Sequence, residues 1–268
     1  MSTRPLVYTE FAPGESVRDI ALTYWGFHVR ALPHPDFVHR VWPDGCITLT
    51  LVHAPGIVTG AYLLGVRQTP YDVSLHVGTR YWGVRFRPEA GAAWLGVTPA
   101  SLKQQSLPAA RILGNDVLGL ATMTGALDDT TRVGAVLDAW IAARAFDRAR
   151  IDPVARDAAA AIVATDGRRA IADIARDVGV SARVLQRKFG ASVGISPKAF
   201  AVLRRGRSAL KRVVTEGVGA DVGGWSGLAY ASGFADQSHF TREVARLTRF
   251  APQALRARLD TIDHEQLE

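Results

Sequence analysis

The chain is poor in sulfur, with one cysteine, Cys46, and two methionines among 268 residues. A single cysteine excludes an internal disulfide and any zinc site built from several thiolates. No run of about eighteen apolar residues exists, so no segment reads as a membrane-spanning helix. The first residues lack the basic-then-apolar pattern of an export signal, and a cytoplasmic protein is the expectation. A glycine-rich phosphate loop, a nucleophile elbow and a CxxC pair are also missing, so the sequence predicts no catalytic residue and no cofactor. His28, His34, His39, His53 and His76 show no His-x-His spacing backed by a carboxylate, and no metal site is expected.

What is plentiful is arginine, and it is unevenly placed. Residues 167–260 hold seventeen Lys and Arg against seven Asp and Glu, whereas residues 1–166 hold fifteen of each and residues 261–268 add three acids. A basic half joined to a neutral one is the electrostatic footprint of a nucleic-acid-binding module.

The basic half is also written twice. Ile171 to Phe189 reads as an apolar-faced helix ending at Gly179, one apolar residue, and a second helix; Trp225 to Val244 repeats this around Gly233. The glycines are offset by fifty-four residues, but Leu185 pairs with Phe240, Phe189 with Val244 and Pro197 with Pro252 at fifty-five, so the second turn gains one residue. Each unit is a helix-turn-helix, and two in one chain predict contact with double-stranded DNA at two neighbouring places.

In the first unit Ile171, Ile174, Ala175 and Val178 form a buried stripe, Gly179 suits a left-handed helix end and Ser181 is placed to cap the next helix. With Leu185 and Phe189 inward, Arg183, Gln186 and Arg187 share the opposite face. They are the base-edge candidates, because arginine can donate twice to guanine and glutamine can pair with adenine. Lys188, to the side, is expected at a phosphate. In the second unit Leu228, Ala229, Phe234, Phe240 and Val244 are apolar anchors. Gln237, Ser238, Thr241 and Arg242 form a less cationic reading face. Glycines at 223, 224 and 227, each costing about 0.5–1 kcal/mol inside a helix, predict a second unit that is loose until DNA binds. Between the units, Pro197 to Val214 reads as one long helix whose Arg204, Arg205, Arg207, Lys211 and Arg212 face phosphates or solvent. Such a rigid connector would set the reading helices one duplex turn, about 34 Å, apart on the same face of DNA.

The N-terminal half alternates like β-structure. Phe37–Trp42 and Cys46–His53 flank the turn Pro43-Asp44-Gly45, and Ile57–Leu64 and Val73–Phe86 follow. In the last, Trp82, Val84 and Phe86 face one way and Arg85 and Arg87 the other. Helical patterns run over Ala90–Leu95, from Thr98, and over Val117–Leu127 and Val133–Phe146. The fold class expected is α+β, an N-terminal antiparallel β-barrel or sandwich with accessory helices before an all-α domain with two helix-turn-helix motifs. The domains expected are 1–150, 151–260 and an acidic, disordered tail at 261–268. Trp42, Tyr62, Tyr71, Tyr81, Trp82 and Phe86 are either core or pocket lining.

Gly179-Val-Ser-x-Arg-x-Leu-Gln-Arg-x-Phe189, Gly194-x-Ser-Pro197 and Gly233-Phe-Ala-Asp-Gln-Ser-His-Phe240 resemble the paired signatures of AraC/XylS-type transcription regulators. The resemblance covers about 152–258 and implies a seven-helix DNA-binding domain whose two recognition helices enter successive major grooves at a promoter. Arg249 departs from it, standing where the first copy has Gly194. Trp42-Pro-Asp-Gly-Cys46, Gly83-Val-Arg-Phe-Arg-Pro88 and the alanine-rich stretch to Gly96 resemble a domain of undetermined function that often precedes this module. By analogy this half is a cupin-like domain that binds a small-molecule effector or pairs two copies into a homodimer. RNA polymerase is a further candidate partner, and a membrane is not. A pure dimerisation module and an enzyme fused to a DNA reader are the alternatives. The effector and the choice between activator and repressor are not encoded here.

Overall fold

The computed structural model describes residues 5–56, 58–215, 224–259 and 262–265. Nine strands are present among them: β1 (Leu6–Phe11), β2 (Ala21–Val29), β3 (Val38–Val41), β4 (Thr48–Ala54), β5 (Val58–Leu64), β6 (Tyr71–Ser74), β7 (Arg80–Phe86), β8 (Ser106–Pro108) and β9 (Ile262–Glu265). Seven form one sheet in the order β8-β5-β4-β7-β2-β1-β9, antiparallel except for β1 with β9; β3 and β6 form a second, antiparallel pair. At the centre Gly26 faces Trp82 and Gly83 faces Trp25. A Cβ on either glycine would overlap the opposing indole, so the bare backbone is what lets each ring lie flat across the next strand.

Two strand readings change. The strands flanking Pro43-Asp44-Gly45 do not pair with each other, since β3 pairs with β6 and β4 with β5 and β7. The Val73–Phe86 stretch is likewise two strands, split by a turn at Gly78, whose φ of 83° is open to glycine. Ile262–Glu265 pairs with Leu6–Thr9 where an unstructured tail was expected. The edge of β1 offers unpaired backbone groups that such a segment satisfies.

Five helices follow β7, with β8 between the second and third: α1 (Gly91–Leu95), α2 (Pro99–Leu102), α3 (Ala110–Leu113), α4 (Asp116–Gly125) and α5 (Thr130–Ala142). Seven more make the C-terminal part: α6 (Pro153–Ala164), α7 (Ile171–Asp177), α8 (Ala182–Val193), α9 (Pro197–Thr215), α10 (Gly224–Ala231), α11 (Gln237–Thr248) and α12 (Pro252–Leu259). Gly223, part of the glycine cluster noted above, lies outside the described residues.

Packing does not respect the boundary near residue 150. A single apolar cluster runs from Tyr24, Leu49, Val84 and Phe86 of the sheet through Ile162 and Ile174 to Leu185, Phe189 and Phe200 of the first helix-turn-helix. The second unit has its own core of Leu210, Val213, Leu228, Phe234, Phe240 and Val244, against which Trp42 of the N-terminal half packs. Helix α9 joins the two, with Phe200 and Leu203 in the first core and Leu210 and Val213 in the second. At Gly206, between these groups, a Cβ would overlap Leu247 of α11, so glycine sets how closely α9 and α11 approach.

Candidate nucleic-acid interface

The first unit is built as its residue pattern dictates. Helix α7 buries Ile174 and Ala175; Gly179 takes a φ of 71°, and the Val180 amide donates back to the Ala175 carbonyl at 3.0 Å, closing the helix. Ser181 Oγ accepts from the Val184 amide at 3.3 Å and starts α8. Leu185 and Phe189 are fully buried, while Arg183, Gln186 and Arg187 are exposed together on the opposite face. These three are brought together as a projecting donor-rich surface.

Lys188 stands apart from them. Its Nζ lies 2.6 Å from Asp152 Oδ2, while Asp152 Oδ1 accepts the Val154 and Ala155 amides at the start of α6. Burial disfavours the Asp152 charge, but the Lys188 hydrogen bond and the capping amides outweigh it and lower its pKa. In the free protein Lys188 is therefore a brace between α8 and α6 rather than an open phosphate contact. Lys188→Ala is expected to cost about 1 kcal/mol of folding stability. The slope of log K against log salt should stay at the wild-type value; a slope smaller by about 0.9 would return Lys188 to the phosphate contacts.

The second unit repeats the plan with different chemistry. Asp236 replaces the serine cap, accepting from the His239 amide at 2.7 Å, and Phe240 and Val244 are buried. Gln237, Ser238 and Arg242 are exposed and Thr241 is half-buried. Ser226, near the start of α10, donates to Gln237 Oε1 at the start of α11 at 2.6 Å, joining the two helices of the unit.

Arg204, Arg205 and Arg207 of α9 do not form the phosphate-facing row that their clustering suggested. Arg205 donates to backbone carbonyls on both sides of it, Gly167 at 2.8 Å and Gly233 at 3.4 Å. Arg204 is partly buried, its Nε has no partner among the described residues, and burial lowers its pKa. Arg207 reaches into the N-terminal half and pairs with Glu10.

That pairing is the centre of a buried polar contact between the halves. Glu10, 2% exposed, accepts from Tyr8 Oη at 2.6 Å, from Arg85 Nη1 at 2.9 Å and from Arg207. Arg85 also pairs with Asp44, whose other oxygen takes the Cys46 amide at 2.9 Å. The alternation placed Arg85 off the core face of β7, and it does lie there, but Tyr8, Glu10 and Asp44, with Arg207 of α9 against Glu10, enclose it and leave it 6% exposed. Burial works against its charge, and Asp44, Tyr8 and Glu10 more than restore it. Gly45, with φ of 79°, lies so close to α9 that a Cβ would meet Phe200 at 2.7 Å. Beside it Arg40 sits 5.0 Å over the Phe250 ring of the second unit. The Trp42–Cys46 turn is thus a contact surface for the reader.

The six aromatics do not converge on one pocket. Trp82 and Phe86 are core, Trp42 packs on the second unit and Tyr71 lies under Arg67. A cleft of about 270 Å³ lies beside α9, between Gln68, Ser196, Lys198 and Arg246; another of about 440 Å³ lies between α4 and α5 at Met123, Leu127 and Arg132. Among the described residues no group of three His, Cys, Asp or Glu side chains could hold a metal ion. No helix among them is long and apolar enough to cross a membrane.

Two capped helix-turn-helix units on a common connecting helix, each with polar side chains projecting from its second helix, define a double helix-turn-helix DNA-binding protein. Residues 174–258 match the helix-turn-helix domain family, and residues 9–108 match a domain of unknown function (DUF6597). The C-terminal part of the chain thus carries a helix-turn-helix domain, the module that reads DNA. A search of curated proteins finds no significant match.

Among solved structures, an AraC-type transcriptional regulator from Chromobacterium violaceum is 24% identical over 40% of this chain and 92% of its own, with a TM-score of 0.35. The C-terminal domain of AraT, a response regulator from Geobacillus stearothermophilus, is 17% identical over 44% of this chain and 91% of its own, with a TM-score of 0.36. Unsaturated fatty acid bound ToxT from Vibrio cholerae is 14% identical over 99% of this chain and 100% of its own, with a TM-score of 0.47.

Proposed function

We propose that α8 and α11 enter successive major grooves on one face of a promoter. Arg183, Gln186 and Arg187 read most of the sequence, and Gln237, Ser238, Thr241 and Arg242 supply a weaker second contact. The carrying observation is the exposed trio on α8 above a fully buried Leu185 and Phe189, a reading edge with a rigid back. The N-terminal half governs this reader through its contact with α9, and an effector acts by altering that contact. In this reading the protein works in the cytoplasm and no residue has a catalytic role. RNA polymerase and a second copy of the chain are further partners.

The full chain, offered a pool of duplexes with a randomised 40-base-pair centre, should enrich a motif of two blocks centred about 10 base pairs apart, the first the more selective. Enrichment of a single block, or of none, would contradict the two-groove reading.

A further inference from the structure

The loop before α7, helix α9 and the turn of the second unit meet at one point, and Arg205 is the residue common to all three. Its guanidinium donates to the carbonyls of Gly167 and Gly233 and lies 5.6 Å from the centre of the Phe234 ring. Gly167 belongs to the loop that leads into the first unit, while Gly233 ends the first helix of the second. Both carbonyls come within reach because the backbone there is bare. Gly167, φ 69°, abuts the Ala201 carbonyl so closely that a Cβ would overlap it, and Gly233, φ 75°, lies under the Arg168 side chain, where a Cβ would meet Cγ at 2.7 Å.

We infer that Arg205 is a positioning residue that fixes the distance and rotation between the two recognition helices, and so the spacer length the protein accepts in DNA. This rests on the two-groove reading above and adds the residue that sets its geometry. The chemistry suits the task. A planar guanidinium carries five N–H donors in a fixed fork, so two carbonyls bound to it are held at a set separation, which a flexible ammonium would not do. Phe234 plugs the core of the second unit, so the stacked arginine also ties that core to α9. The units also meet through apolar contacts such as Gly206 with Leu247, which resist separation but permit sliding. A directional bond opposes the rotation of about 34° that one base pair of spacer would demand.

The test uses the full chain and the two-block duplex recovered by selection, with its spacer left intact or changed by one base pair either way. Wild type should bind the altered spacers at least about tenfold more weakly, since one recognition helix loses its register. Arg205→Met keeps the stem and removes every donor. It should bind the intact duplex somewhat less tightly, with the spacer penalty reduced to about threefold or less. Should the methionine variant fail to fold, Arg168→Ala loosens the same junction from its exposed side and is judged by the same ratio. A variant that weakens all three duplexes equally, leaving the ratio at the wild-type value, overturns the inference and leaves the two-groove reading standing. A wild type indifferent to spacer length overturns that reading, and the inference with it.

Discussion

Glutamine in place of Glu10 should remove about 3 kcal/mol of folding stability at pH 7. Burial alone would raise the Glu10 pKa; the guanidinium groups of Arg207 and Arg85, with the Tyr8 and Arg85 hydrogen bonds, overcome it and hold the carboxyl at about 2, against an ordinary value of 4.5. A carboxyl with a depressed folded-state pKa contributes stability that is complete above its unfolded value. That contribution is lost as pH falls from about 4.5 toward 2. Glutamine matches the shape and lacks the charge, so it leaves the buried Arg85 and the half-buried Arg207 guanidinium groups with Asp44 as their remaining nearby anion. Urea unfolding followed from pH 7 down to pH 3 should show the wild type and the variant converging in acid. A difference below about 1 kcal/mol at pH 7, or one that persists unchanged at pH 3, would show that Glu10 does not hold the halves together by charge.

Arg187→Ala should weaken binding to the selected duplex by about 1–3 kcal/mol, roughly 5- to 150-fold, and relax the choice at a single base pair. Because Arg187 is exposed and Phe189 carries the packing of that helix turn, folding stability should stay within about 0.5 kcal/mol of wild type. The separation of the two readouts matters. Loss of affinity spread evenly over all base substitutions would make Arg187 a phosphate contact, and retention of full discrimination would remove it from readout.

The reader was legible in the sequence because its signals are local. Gly179 and Gly233 do end helices with positive φ, Ser181 does cap α8, and the apolar anchors Leu185, Phe189, Phe240 and Val244 are buried as their spacing demanded. Arg183, Gln186 and Arg187 share an exposed face for the same reason. What escaped is what depends on distant contact. The period of two placed Arg85 off the core face, but no local pattern says that an arginine of a helix more than a hundred residues later will help enclose it. Glu10 and Arg207, 197 residues apart, lie beyond any such pattern. Arg204, Arg205 and Arg207 look alike in sequence, yet Arg205 braces the loop and turn beside it, Arg207 joins the N-terminal half and Arg204 lies partly buried with its Nε unmatched among the described residues. An acid two residues from Tyr8 on a strand, and an arginine near the end of β7, were the available hints.

The continuous core described above makes the chain hard to cut. Severing it near residue 150 would strip α8 of its contacts with α1 and α2 and remove Pro99 from beside Gly194, baring a greasy seam on the excised reader. Anyone wishing to graft this reader onto a foreign sensor would have to carry that helical wedge along as an adaptor. The practical unit of exchange is larger than the motif that announces it.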